Sequence, residues 1–97
     1  MKIYNVIVVT EEGNELFIDV MDSYKDLKKA WEYISQIVQS AKNNTDKCID
    51  EVNALFNEYD ENIPLLVNSK TLVGFIVYRK DNKSITSKLY IECNSLI

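Results

Sequence analysis

Ninety-seven residues, 46% of them hydrophobic and 27% charged, make one domain able to bury roughly 65% of its unfolded surface. Two Gly and one Pro exclude disordered, collagenous and linker classes, and the longest apolar runs, 6–9 and 72–77, are far too short to span a bilayer. Eleven bases against fifteen acids leave a net charge of −4, which argues against direct nucleic-acid binding, an interaction whose affinity comes mainly from neutralising phosphates.

Residues 2–10 read as a strand that is apolar on both faces, with Ile3, Asn5, Ile7 and Val9 on one side and Tyr4, Val6 and Val8 on the other. A turn at 11–14 leads into a second strand, 15–20. There the alternation predicts Leu16, Ile18 and Val20 inward, and Glu15, Phe17 and Asp19 outward on a sheet edge. Ser23 with Asp26 three residues on resembles a capping box. It opens a helix in which Leu27, Ala30, Trp31, Ile34, Ile37, Val38 and Ala41 recur at helical spacing. Asn43-Asn44 suits a left-handed C-cap. Thr45 then predicts the start of a second helix running to residue 60, with Cys48, Ile49, Val52, Leu55, Phe56 and Tyr59 on one arc. Residues 71–79 form another strand apolar on both faces, Asp81-Asn82-Lys83 turns the chain, and 85–93 alternates like an edge strand. The expected architecture is a single α+β domain over 1–97. It is a two-layer ββααββ sandwich in which a four-stranded antiparallel sheet, its two apolar strands central, carries two antiparallel helices on one face.

Catalytic chemistry has little to build on. There is no His, so the commonest general base is missing, and neither Cys48 nor Cys93 has an evident base to form its thiolate. The two cysteines lie too far apart for a zinc or dithiol motif, and the expected state is two reduced, buried thiols, with one disulfide as the alternative. Two glycines rule out a phosphate-cradling loop. No catalytic residue, cofactor or metal is assigned, and the chain is expected not to be an enzyme. Residues 1–6 do not read as a signal peptide, which points to the cytoplasm. Heavy use of Asn, Ile and Lys is what AT-rich coding produces, as in low-GC bacteria and their phages.

Charge is unevenly placed. Residues 45–61 hold six acids and one base, so that segment carries −5 and the remainder +1. On the predicted second helix Asp46, Asp50, Asn53, Asn57 and Glu61 make an acidic ridge suited to a basic protein partner. The other candidate surface is the sheet face that two helices on one side leave open, assigned to Tyr4, Val6, Val8, Phe17, Tyr78 and Tyr90. Such a patch calls for a partner or a second copy. The expected function is that of a small acidic protein-binding module of the inhibitor, immunity-protein or adaptor type, acting by occluding a partner and forming a homodimer. The alternative is a small-molecule module with a pocket between sheet and helices near Trp31, Tyr59 and Tyr78.

Overall fold

The computed structural model describes residues 1–43, 51–60, 62 and 64–95, with Glu51 described by its backbone alone. Five strands and one helix follow in the order β1 (Lys2–Glu12), β2 (Glu15–Tyr24), α1 (Leu27–Lys42), β3 (Glu51–Phe56), β4 (Ser69–Lys80) and β5 (Lys83–Ser95). The strands form one antiparallel sheet in the order β2-β1-β5-β4-β3. Among the described residues the fold is therefore mostly β with a single helix, ββαβββ, and not the two-helix, four-stranded sandwich that the periodicity suggested.

Two substitutions of one element for another account for the difference. Residues 51–56 pair with β4 as a strand, Val52 facing Tyr78, Ala54 facing Ile76 and Phe56 facing Gly74. A short apolar run of this kind satisfies helical and strand templates alike, and partners elsewhere in the chain decide between them. Adding β3 to β4 buries Ala54 and half-buries Val52 and Phe56 against the core. Secondly, β5 is the middle of the sheet and not an edge. Its alternation marks a strand with one covered face and one open face, which a central strand shows whenever the sheet itself is one-sided.

The turns follow from local chemistry. Asp81 and Asn82 both take positive φ, 52° and 65°, as a two-residue type I′ hairpin requires and as Asp and Asn tolerate best after Gly. Gly13, at φ 60°, opens the β1–β2 turn. The strand β2 extends through Ser23 to Tyr24, so the cap of α1 is Asp26, not Ser23. Its carboxylate accepts the Lys28 backbone N–H at 2.9 Å, satisfying one of the donors a helix start leaves unpaired. Asn43 ends the helix at φ −93° with its N–H on the Gln39 carbonyl at 3.0 Å, an ordinary right-handed exit. Asp26→Ala should cost about 1 kcal/mol, seen as a fall in melting temperature of roughly 4–8 °C; an unchanged melt would show that the cap carries no stability.

The core lies between α1 and one face of the sheet. Ala30, Trp31, Ile34 and Val38 from the helix meet Val6 of β1, Ala54 of β3, Val73 and Ile76 of β4, and Leu89 and Ile91 of β5. The helix spans about 24 Å and covers that face alone. Among the described residues no other element lies against the opposite side. Two bulk properties agree. The radius of gyration is 14.1 Å, where about 12.5 Å is usual for this length. The accessible surface is 6548 Å², above the roughly 5700 Å² of a compact 11.2 kDa monomer. No helix of the described residues is long and apolar enough to cross a membrane.

Candidate functional site: the uncovered sheet face

Register fixes which side chains share the open face. On β1 it is Ile7 and Val9 that point there, opposite Val20 and Ile18 of β2 and opposite Tyr90 and Lys88 of β5. On β4, Leu72 faces Tyr90 and Phe75 faces Lys88, and Leu55 of β3 continues the row beside Phe75. A bulge at Val73 shifts the β4–β5 register, so that Val73 joins the helix-side core while Leu72 and Phe75 both stay exposed. The outcome is two apolar flanks. Leu16, Ile18 and Val20 are 57%, 58% and 64% exposed on one side, and Leu55 (65%), Leu72 and Phe75 are exposed on the other.

Between the flanks lie Ile7 and Val9, already buried among their cross-strand neighbours at 5% and 9% exposure, and polar side chains that are paired within the chain. Lys88 Nζ lies 3.2 Å from Glu11 Oε1, and Glu92 Oε1 accepts from Asn5 Nδ2 at 3.2 Å and Asn94 Nδ2 at 2.9 Å. Ser23 Oγ donates to Asn5 Oδ1, and the Lys70 ammonium sits 5.9 Å from the Tyr90 ring centre. The ion pair is half-exposed and contributes at most about 1 kcal/mol. Its consequence for recognition is larger: these groups do not need a partner's polar atoms to be satisfied when the face is covered.

The face residues read from the sequence divide between the two sides. Tyr90 is on the open face. Tyr4, Val6, Val8 and Tyr78 lie on the helix-covered side, Val6 at 0% exposure. That assignment is corrected because α1 seats on the Tyr4-Val6-Val8 side of β1, leaving Ile7 and Val9 to the open side. Leu16, Ile18 and Val20, expected inward, are the exposed members instead, since the inward side of β2's apolar set is the uncovered side of the sheet. Phe17 is exposed opposite Thr10, across β2 from Leu16 and Ile18. The acidic ridge required a helix over 45–60, and residues 51–56 are strand, so that surface does not form as drawn. Asn53 sits in β3 on the open side and Asn57 just beyond it, its N–H on the Val73 carbonyl at 2.9 Å. Asp46, Asp50 and Glu61 lie outside the described residues, as does Cys48. Cys93 is a buried free thiol facing Tyr4 of β1.

Elsewhere, Trp31 and Tyr59 do come together, ring centres 6.4 Å apart and planes at 67°. They line a cleft between α1 and the chain leaving β3, which Tyr78 does not reach. In the same half of the helix Tyr24 packs on Tyr33, and its hydroxyl donates to Asp22 Oδ2 at 3.1 Å. Desolvation, and then that bond to a carboxylate, push the Tyr24 phenol above its usual 10.0. The described residues contain no group of three or more His, Cys, Asp or Glu side chains arranged to hold a metal ion. The chain matches no family model, no curated protein and no solved structure.

Proposed function

We propose that the chain is a non-enzymatic protein-binding module whose uncovered sheet face packs on the same face of a second copy. The observation that supports this is the pair of apolar flanks, Leu16-Ile18-Val20 and Leu55-Leu72-Phe75, exposed on one face of one sheet on either side of the paired polar groups. Monomeric proteins seldom leave so large an apolar patch in water. The size suits a dimer: five strands about 4.8 Å apart and about ten residues long make a face of roughly 800 Å², close to the about 800 Å² per partner of a standard interface. Charge does not oppose the pairing, because Lys70, Lys88 and Arg79 offset Glu11 and Glu92 on that side. Two such sheets stack at about 10 Å as a β-sandwich, with side chains of the inner faces interdigitated. The proposal sets the protein in the cytoplasm, in keeping with the buried, unpaired thiol of Cys93.

Equilibrium sedimentation tests the reading. The wild-type chain should sediment at twice its 11.2 kDa mass, and Ile18→Glu combined with Phe75→Glu should give a folded monomer. A wild-type monomer at every concentration overturns the proposal. So does a dimer indifferent to both substitutions.

A further inference from the structure

The cleft beside Trp31 has a volume of about 320 Å³ and is built from two elements. Lys28, Trp31, Glu32 and Ser35 come from α1 at the i, i+3, i+4, i+7 spacing of a single helix face. Phe56, Glu58 and Tyr59 come from the end of β3 and the chain just after it. The volume is at the small end of the range for ligand sites.

Its chemistry is specific. Trp31, Phe56 and Tyr59 supply three aromatic rings, with Tyr59 still 44% exposed. The Trp31–Tyr59 contact is edge-on, so neighbouring rings offer differently oriented planes. Glu32 and Glu58 flank the space from opposite elements against the single ammonium of Lys28, and none of the three has an ion-pair partner among the described residues. Aromatic faces and surplus carboxylates both favour a positive charge, and a poorly hydrated one most of all. Finally, the Trp31 indole is only 2% exposed and its Nε1–H, buried, has no acceptor among the described residues. Buried donors in native proteins are almost always paired.

We propose that this cleft binds a small alkylated ammonium compound, its charge between Glu32 and Glu58 and its methyl groups against Phe56 and Tyr59. The site is independent of the sheet-face contact, since it lies on the helix side. The test uses choline and its uncharged isostere 3,3-dimethylbutan-1-ol, titrated against the intact protein by calorimetry and by the fluorescence of Trp31, the single tryptophan in the chain. Choline should bind at least about tenfold more tightly than the alcohol. Glu32→Gln with Glu58→Gln should remove that preference without altering the thermal melt, and Tyr59→Ala should weaken both ligands. Equal affinity for the two probes would reduce the site to a plain apolar crevice and overturn the proposal, as would no binding of choline.

Discussion

Ile34→Ala is expected to lower the unfolding free energy by about 3–4 kcal/mol, the largest effect of any single truncation here. Ile34 is fully buried at the middle of the helix stripe, and among the described residues α1 is the single layer that shields the covered face of the sheet. Removing three carbons there loses their transfer free energy and leaves a cavity that a rigid sheet on one side cannot close. A domain of this length has about 5–15 kcal/mol to lose, so the variant should be visibly labile. Urea titration checks it: the midpoint should fall with little change in slope, and Ile34→Val should cost about 1 kcal/mol. A midpoint shift for the alanine variant no larger than for the valine one would mean that the helix packs on the sheet more loosely than these contacts imply.

Gly74→Ala, the addition of one methyl group, should cost about 2–3 kcal/mol by overpacking. A Cβ at this position would sit 2.6 Å from Phe56 Cβ, 2.8 Å from the Leu55 carbonyl oxygen and 3.0 Å from Phe56 Cα. Two of those atoms are backbone and the third is fixed to it, so no side-chain rotation relieves the clash. The glycine is needed for close approach and not for an unusual dihedral. Because β3 is an edge strand that pairs, among the described residues, with β4 alone, it would be pushed outward, carrying Phe56 and the following segment with it. Hydrogen exchange separates this local damage from global weakening: amides of 52–57 should lose protection while those of β1 and β5 keep theirs. Wild-type protection across β3 would show that the strands tolerate a wider spacing.

Much of this architecture is written in short-range pattern. The helix stripe from Leu27 to Ala41 is legible because seven apolar residues fall on one arc, and the structure buries or half-buries all seven. The two hairpin turns are legible because Gly13 and Asp81-Asn82 are residue types that accept positive φ. What pattern does not carry is which of two apolar faces a helix will choose. Tyr4-Val6-Val8 and Ile7-Val9 are equally apolar, and the choice is made by what α1 meets on β3, β4 and β5. The same limit hid the open face: Leu16, Ile18 and Val20 alternate as core residues do, and only the position of the helix makes them surface. Strand order is likewise a long-range property. The segment 51–56 is ambiguous by itself and becomes a strand because β4 offers it a free edge and a glycine that lets it come close.

The central placement of β5 has a consequence for how the chain comes to be folded. The β1–β2 hairpin and the β3–β4 pair touch the rest of the sheet through β5, which pairs Lys2 with Ser95 at one margin and Lys80 with Lys83 at the other. Until residues 83–95 have left the ribosome, the early hairpin has no neighbour to pair with, and α1 has half a floor to rest on. Joining strands so remote in sequence is slow compared with forming local structure. The nascent chain therefore waits with apolar strands unpaired until β5 joins the two parts of the sheet.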